Sequence, residues 1–401
     1  MVEVISNQSW FSRMGGAIKG VIFGCLLFLI AIPVLFMNEG RSVRRAKGLA
    51  EGAGSVVEVE TDQVDAANEG KFVHLSGTAT TKEPLADEVF GIVFDGIRLE
   101  RHVEMYQWVE TTSKKTKKKL GGGTKTITTY DYEQKWAPKL VNSSEFEQAE
   151  GHQNPTQMPY EQFKTQANDV ELGAFKLSKS LVGKISKPEV IKFEKEQLPE
   201  EISFMATISQ DAPNGGPRMY IAGGSVALTQ KAKIGDVRIW FTGTPETEVS
   251  VMAKQVGNSF EPFKTHSGTS LNMLETRIAS AELMIEKEQA ANTALTWMLR
   301  MLGIGMMCGG LGIALRPLAV MGDVVPFIGS IVGFGMTLIA TVAGTGAAFC
   351  VISVAWLFYR PLIGVPLLVI GAGLIFWTIK SIRSTKPAQN EDLPVASLVD
   401  N

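Results

Sequence analysis

Residues Val21–Met37 have the sequence VIFGCLLFLIAIPVLFM, which contains no charged residue. The hydrocarbon core of a bilayer is about 30 Å thick and is crossed by roughly 20 residues of apolar helix. Together with the residues just before it, this run predicts a membrane-spanning helix over residues 15–37, preceded by an N-terminal tail at residues 1–14. A cleaved signal peptide is the alternative, but the polar sequence Asn38–Arg41 makes a poor cleavage site. We therefore expect an uncleaved anchor.

A second apolar region covers residues 297–379 and is divided by Arg-Pro pairs. Its three runs are Trp297–Leu315, Val324–Tyr359 and Leu362–Ile379. The middle run is too long for one upright span and too short for two, so it predicts one long helix that begins near Pro326. These runs bring the predicted number of spans to four, followed by a C-terminal tail at residues 380–401.

The segment between these regions, residues 38–269, reads like an ordinary water-soluble protein. Six short stretches in it are rich in β-branched and aromatic residues and are bounded by Gly, Pro, Asn or Ser, which predicts strands. They are Lys71–Leu75, Arg101–Glu110, Thr126–Trp136, Met219–Ala227, Asp236–Thr242 and Glu248–Lys254. The predicted fold class is therefore an α+β membrane protein, with four transmembrane helices and a β-rich soluble domain inserted between spans 1 and 2.

The clearest strand pair is a hairpin with a lysine-rich tip. The tip contains Lys114, Lys115, Lys117, Lys118 and Lys119, followed by Gly121-Gly122-Gly123. Lysine clusters bind anionic lipid headgroups or nucleic acid, although a solvated loop is the commoner explanation. The net charge of −2 gives no general attraction to nucleic acid, and we expect no nucleic-acid partner.

The hydrophobic period changes after residue 269. Apolar residues then recur at helical spacing, at Leu271, Leu274, Ile278, Ala281 and Ile285. Ser270 stands where an N-cap is expected, and neither Gly nor Pro interrupts the chain up to Leu302. We predict an amphipathic helix over residues 270–296 that continues directly into the second span.

Glycine pairs four residues apart lie in the second and third spans. They are Gly305 with Gly309 and Gly329 with Gly333. This spacing lets helix backbones approach closely, so these glycines are candidates for packing within the bundle or for oligomerisation between protomers, although glycine is common in membrane helices. Arg300 lies near a span end, from which its side chain is expected to reach water. The lack of acidic residues, histidine and lysine deep within the spans argues against a proton relay.

The sequence shows no signature of catalytic or metal chemistry. All three cysteines, Cys25, Cys308 and Cys350, lie in apolar runs, which excludes a disulfide framework or a cysteine-based zinc site in the soluble segment. The four histidines lack the spacing of a metal site, and nucleotide-binding and nucleophile motifs are absent. We therefore expect a non-enzymatic protein without a cofactor.

Two pairs of residues on the first hairpin strand share one face. They are His102 with Glu104 and Tyr106 with Trp108. An acid–base pair is one interpretation of the first, but a cross-strand polar cluster explains it better.

Several motifs resemble the transmembrane protein 43 (LUMA) family. The most specific is Arg101-His102-Val103-Glu104-Met105-Tyr106-Gln107-Trp108-Val109-Glu110. The others, in order, are Asn38-Glu39-Gly40-Arg41, Gly70–His74, Gly151–Pro155, Val170–Phe175, Gly235–Arg238 and Trp356-Leu357-Phe358-Tyr359-Arg360-Pro361-Leu362. They cover nearly the whole chain, while the lysine-rich tip departs from the family's pattern.

The resemblance implies a four-span protein of the endoplasmic reticulum and inner nuclear membrane in animals, or of the inner membrane with a periplasmic domain in bacteria. It implies self-association and a role in organising membrane protein complexes, so the expected partners are the lipid bilayer, further copies of the chain and other membrane proteins. It supplies no catalytic residues. The alternative function is a membrane-bound enzyme or chaperone-like processing factor that acts on lipids or proteins at the bilayer surface.

Charge alone leaves the orientation open. Positive residues favour the cytoplasmic side, and the C-terminal tail carries Lys380, Arg383 and Lys386. A competing cluster directly after the first span would keep the soluble domain in the cytoplasm; it consists of Arg41, Arg44, Arg45 and Lys47. The resemblance implies an extracytoplasmic domain, and we adopt that placement as an expectation.

Overall fold

The computed structural model describes residues 1–213, 215–223, 232–366 and 369. Its helices include α1 (Trp10–Ser55), α2 (Lys179–Val182), α3 (Glu200–Met205), α4 (Ala281–Ala314), α5 (Arg316–Gly322) and α6 (Pro326–Tyr359). Three of them, α1, α4 and α6, are long and apolar enough to cross a membrane. The predicted fourth span, residues 362–379, and the C-terminal tail lie almost wholly outside the described residues.

All but the first strand lie between α1 and α4 in the sequence, so the architecture combines apolar helices with a β-rich region. The strands are β1 (Val2–Gln8), β2 (Val57–Glu58), β3 (Phe72–Thr80), β4 (Leu85–Asp87), β5 (Ile92–Phe94), β6 (Arg98–Lys118), β7 (Thr124–Ala137), β8 (Phe163–Gln166), β9 (Glu171–Leu172), β10 (Phe175–Lys176), β11 (Glu189–Val190), β12 (Ala206–Ser209), β13 (Arg218–Ile221), β14 (Val237–Thr244), β15 (Thr247–Val256), β16 (Ser259–Glu261), β17 (Phe263–Lys264), β18 (Ser270–Leu271) and β19 (Met273–Glu275).

Two sheets hold the β-rich region together. The larger has the order β1-β7-β6-β14-β13-β12, with β8 also paired to β6 and β11 to β14. The second has the order β19-β15-β16-β10-β9-β3-β2, with β15 also paired to β3. Both sheets contribute to one apolar core, which includes Leu99 and Phe241 from the larger sheet and Leu75 and Val251 from the second. Burial of this core is the main stabilising contribution to the β-rich region.

The first helix is longer at both ends than the predicted span over residues 15–37. It begins after Ser9, whose side chain accepts a hydrogen bond from the Ser12 N–H, and it continues to Ser55. Residues 38–55 therefore extend the helix instead of opening the soluble domain, so the predicted boundary at residue 38 is wrong. The sequence beyond Met37 is polar but has no proline, and its buried side packs against α4, so nothing ends the helix there.

The predicted N-terminal tail contains a strand. Val2–Gln8 forms β1 and pairs antiparallel with β7, from Val2 opposite Tyr130 to Gln8 opposite Thr124. The hairpin strands also reach further than predicted, because β6 and β7 stay paired up to Lys118 and Thr124. Most of the tip lysines thus lie in a strand rather than in a loop. We call β1, β7 and residues 110–118 of β6 the ribbon.

The predicted helix over residues 270–296 is wrong over residues 270–280. Leu271 lies in β18 and Leu274 in β19, and α4 begins only at Ala281, after an N-cap at Ser280. Residues spaced three apart fit a helix or two short strands, and the pairing of β19 with β15 decided in favour of strands. From Ala281 the helix continues without interruption to Ala314, as predicted for this stretch.

The third apolar run forms one helix, α6, with Pro326 in its first turn, as the sequence predicts. The short helix α5 was not predicted; it forms a corner between α4 and α6. In the bundle, α4 runs antiparallel to α1, because Gly24 lies beside Gly310 and Leu35 beside Gly303. A second apolar cluster, which includes Leu49, Leu271 and Ile285, joins α1 and α4 to the second sheet.

Candidate functional site

A carboxylate is buried where α1, α4 and α6 meet. Glu39 is fully buried. Its carboxylate accepts hydrogen bonds from Arg300 Nε at 2.6 Å, Arg300 Nη2 at 2.8 Å and Trp356 Nε1 at 2.8 Å. Arg300 therefore turns inward in a paired geometry, and the expectation that its side chain reaches water is wrong. A buried charge is tolerated only with such pairing, so the three helices are locked at this point.

The next turn of α1 carries a second set of polar contacts to α4. Arg41 donates to Asn292 Oδ1 at 2.9 Å and to Thr296 Oγ1 at 3.0 Å. Asn38 donates to the Thr296 carbonyl at 3.0 Å, and Asn292 donates to the Ser42 carbonyl at 3.0 Å. These bonds fix the register of α1 against α4. We call Asn38, Glu39, Arg41, Asn292, Thr296, Arg300 and Trp356 the polar cluster.

Two motifs that are far apart in sequence meet beside this cluster. A Cβ at Gly40 would lie 2.6 Å from the Tyr359 ring, so only glycine leaves room for that ring. Arg360 ends α6. A further helical turn begins at Pro361, in which the N–H groups of Ile363 and Gly364 donate to the Arg360 carbonyl. The motif Asn38–Arg41 and the Tyr359-Arg360-Pro361 sequence therefore belong to one structural unit.

The hairpin motif residues lie elsewhere, on the outer face of the larger sheet. His102 bonds Thr242 Oγ1 at 2.8 Å and stacks on Trp240 at a centroid distance of 5.1 Å. Glu104 accepts a hydrogen bond from Arg238 at 2.6 Å. The geometry matches a row of cross-strand pairs, which stabilises the pairing of β6 with β14.

The rest of this row is aromatic. Tyr106 packs on Trp136, with ring centroids 5.2 Å apart, and Trp108 packs edge-on against His152 at 4.7 Å. Asn154 binds both backbone groups of Trp108, which ties the Gly151–Pro155 loop to β6. The motifs Arg101–Glu110 and Gly151–Pro155, which both resemble the family, are thus in direct contact.

A cleft of about 720 Å³ opens next to His102 and Trp240. Burial lowers the pKa of His102 despite the nearby charges of Glu100 and Glu104, so its ring is neutral at pH 7. The Glu100 carboxylate is engaged by Lys164 at 2.7 Å. Within the described part of the chain, no three His, Cys, Asp or Glu residues come together as metal ligands.

A third contact site joins the hairpin tip to the corner of the bundle. The Asp323 carboxylate pairs with Arg13 and with Lys118, each at 2.5 Å, and its side chain is 4% exposed. Burial alone would raise the pKa of Asp323, but the bonds and charges of Lys118 and Arg13 hold it below its ordinary value. Trp10 donates to the Val320 carbonyl at 2.9 Å. The tip of the ribbon is thereby bound at the end of the bundle away from the β-rich region.

The predicted glycine pairs do not form the closest helix contacts. A Cβ at Gly305, Gly309 or Gly333 would meet nothing within 4 Å, whereas one at Gly329 would overlap Asp323. The tightest crossing uses another pair, since a Cβ at Gly24 would lie 2.5 Å from the Gly310 carbonyl oxygen. Within the bundle the three open glycines are therefore not contact residues, and their role between protomers stays a prediction.

Sequence reasoning missed the α4 half of the polar cluster. Asn292, Thr296 and Arg300 follow each other at intervals of four residues, which places them on one face of a helix. This polar stripe at the entrance to an apolar run was the available signal. Its partner on α1 could not be identified from spacing, because the two stripes are more than 250 residues apart in sequence.

What the polar cluster provides is a fixed junction between the helices. The Glu39 carboxylate is paired with Arg300, and Arg41 is held by neutral side chains of the same cluster, with its buried Nε left without a hydrogen bond. The cluster joins the stalk formed by the outer parts of α1 and α4 to the apolar bundle.

Comparisons with known proteins agree with the motifs. The sequence profile of the family described as Transmembrane protein 43 matches residues 105–361. The human protein named Transmembrane protein 43 is 31% identical over 399 residues, covering 97% of this chain and 95% of the relative. The mouse protein is 32% identical over 374 residues, covering 90% of each chain, and a Drosophila melanogaster homologue is 27% identical over 373 residues, covering 90% of this chain and 94% of the relative.

No solved structure matches the chain. The profile match includes β6 from Met105 onward, the later strands of the larger sheet, α4 and α6. The alignment with the human protein covers 97% of this chain and so extends to His102, Glu104, α1 and the motif at Asn38–Arg41. Both sets of motif residues described above are thus within the shared sequence. The chain belongs to the transmembrane protein 43 family.

Proposed function

We propose that the chain is a non-enzymatic multi-pass membrane scaffold that self-associates and organises membrane protein complexes through its β-rich region. Four spans complete the proposal, together with an extracytoplasmic position of that region apart from the tip of the ribbon, which is bound at the other end of the bundle. The membrane would be the endoplasmic reticulum and inner nuclear membrane in an animal cell, or the inner membrane of a bacterium. The partners would be lipid, further copies of the chain and other membrane proteins.

The observation that carries this proposal is the rigid connection between the two parts. Two helices, α1 and α4, run side by side from the β-rich region into the apolar bundle without a break. Hydrogen bonds of the polar cluster and the apolar contacts around Leu49 hold them together at two levels. A scaffold requires such a connection, because the position of a partner bound outside must be fixed relative to the membrane.

The contacts of the basic cluster after the first span support the extracytoplasmic placement. Arg41 is occupied by the polar cluster, and Arg45 pairs with Glu288 at 2.5 Å. Charges that are neutralised or hydrogen-bonded within the protein interact less with the membrane surface. The basic cluster therefore favours the cytoplasmic side less strongly than its number of positive residues indicates. The competing argument for a cytoplasmic β-rich region is reduced accordingly.

The rival function, an enzyme or processing factor at the bilayer surface, would need converging reactive groups in a cleft. The cleft beside His102 offers the best place for it. There the His102 ring is already bonded to Thr242 and the Glu100 carboxylate to Lys164. This arrangement favours a structural role for the face and supports the scaffold.

Breaking the stalk helix should abolish assembly while leaving the protein in the membrane. Ala291 is exposed and lies ten residues inside α4, so Ala291→Pro removes one helical hydrogen bond at a cost of about 3 kcal/mol and kinks the helix. Proline near Ala281 would be a poor test, because the first turn of a helix tolerates it. The mass of the intact complex in mild detergent measures the effect, and Ala291→Ser is the matched control. Complexes of unchanged mass in the proline variant would contradict the proposal.

A cysteine at Glu150, in a variant without the three native cysteines, should react with a membrane-impermeant maleimide only from the extracytoplasmic side. Glu150 is exposed and lies in a loop of the β-rich region. Gly122 is a poor site for this reporter, since it has a φ of +75° and its side chain would overlap Trp10. Labelling from the cytoplasmic side alone would show that the placement of the β-rich region is wrong.

A further inference from the structure

The ribbon runs beside the apolar helices and leaves an edge open. Its base belongs to the larger sheet, and its tip is held at the far end of the bundle, where Gly121 N–H donates to the Val324 carbonyl at 3.1 Å. From Met105 to Lys118 a strand extends about 43 Å, close to the ~39 Å that α1 covers between Arg13 and Glu39. The outer strand β1 pairs only with β7 among the described residues, so its other edge carries free backbone groups.

These free groups need a partner. A backbone group without a hydrogen bond in hydrocarbon costs several kcal/mol, so lipid can cover neither this edge nor the β6 edge of the ribbon. Water or protein must do so. The seven residues of β1 make it longer than β12, the four-residue strand at the other end of the sheet.

The two edges of the ribbon differ in their protection against pairing. The β6 edge carries Lys114, Lys115, Lys117 and Lys118, and lysine on an edge strand opposes pairing with another strand. The β1 edge, with the sequence VEVISNQ, has no lysine, arginine or proline. Ile5 on it is 52% exposed and Val4 36% exposed. The β1 edge is therefore the open one that is able to accept a strand.

We infer that this edge pairs antiparallel with β1 of a second copy of the chain, which joins the two larger sheets into one. The inference rests on the self-association proposed above and gives it a surface. With a two-fold axis at Ile5, Glu3 faces Asn7, Val4 faces Ser6 and Val2 faces Gln8 of the other copy. No like charges meet in this register, and the two isoleucines face each other, which is a favourable cross-strand pair. The surface is isologous, as expected for a closed dimer.

Disulfide formation between single cysteines tests this register in a variant without native cysteines. Under mild oxidation in detergent, Ile5→Cys should give dimers at least about tenfold more efficiently than Glu3→Cys or Asn7→Cys. Paired positions lie ~5 Å apart, whereas two copies of position 3 lie ~13 Å apart, beyond the ~7 Å limit for a disulfide. Coexpressed Glu3→Cys and Asn7→Cys chains should cross-link to each other, which neither does alone.

A charge at the axis provides an independent readout. Ile5→Lys places two ammonium groups opposite each other at the axis. It should reduce the mass of the complex by half, or to that of the next smaller assembly. The control Ile5→Thr should leave the mass unchanged. Because Ile5 is half exposed, the single chain tolerates either residue, and an unchanged circular dichroism spectrum checks this.

The outcomes separate the inference from the proposed function. An oligomer whose cross-linking does not favour position 5, or whose mass is unchanged in Ile5→Lys, overturns the β1 interface and leaves the scaffold standing. Cross-links from position 5 to the lysine edge of β6 would also overturn it, since they require a head-to-tail array. A protein that is monomeric at every concentration overturns both.

Discussion

Replacing Glu39 with glutamine should lower the free energy of unfolding by about 3–5 kcal/mol, because it leaves the Arg300 guanidinium, whose side chain is only 11% exposed, without its counter-charge. Thermal and denaturant unfolding in mild detergent measure the loss. Removing both charges, in Glu39→Gln with Arg300→Met, should recover part of it, because the unpaired charge is then absent.

The matched control is a pair of the same type in an exposed position. Arg45 and Glu288 are 24% and 37% exposed, so Glu288→Gln should cost less than about 1 kcal/mol. Equal losses for Glu39→Gln and Glu288→Gln would show that burial of the polar cluster does not stabilise the bundle.

A methyl group at the helix crossing should have the next largest effect. Gly24→Ala places its Cβ 2.5 Å from the Gly310 carbonyl oxygen and 2.8 Å from the Ala314 nitrogen. Both are backbone atoms, so α1 and α4 must move apart, and we expect a loss of about 1–3 kcal/mol. Separation of these helices also strains the polar cluster further along the same interface. Unfolding in detergent is again the measurement.

Gly305 provides the comparison within the same bundle. A Cβ there meets nothing within 4 Å, so Gly305→Ala should leave stability unchanged or improve it by up to about 1 kcal/mol through higher helix propensity. If Gly305 packs between protomers, Gly305→Leu should leave the single chain folded and reduce the mass of the complex. Destabilisation by Gly305→Ala equal to that by Gly24→Ala would mean that the crossing is not where the structure places it.

Helices and strands whose pattern lies in consecutive residues were predicted from the sequence. Three of the four apolar runs fall on α1, α4 and α6, and each of the six predicted strands overlaps an observed strand. Their boundaries were less predictable. Helix α1 continues into polar sequence because α4 covers it. Strands formed around Leu271, where a helix was expected, because β17 pairs with β18 and β15 pairs with β19.

For the candidate site, too, the motifs could be recognised from the sequence but their contacts could not be predicted. The motif at Asn38–Arg41 and the Tyr359–Pro361 sequence were recognisable from the sequence, but nothing in either indicates that Glu39 meets Trp356. The cross-strand polar cluster predicted for His102 and Glu104 agrees with their contacts to β14, because alternation along one strand defines a face. Its partners Trp240 and Arg238 required knowledge of the strand order.

By itself the sequence determined that apolar helices flank a β-rich region, since hydrophobic length and alternation are properties of consecutive residues. It also determined the family, through motifs preserved in order. Only the tertiary structure decided that Val2–Gln8 completes the hairpin, that Arg300 turns inward to Glu39, and that Gly24 forms the close crossing. Each of these is a contact between segments separated by more than a hundred residues. Such contacts are selected by the packing and hydrogen bonding of the whole chain, for which local spacing carries no signal.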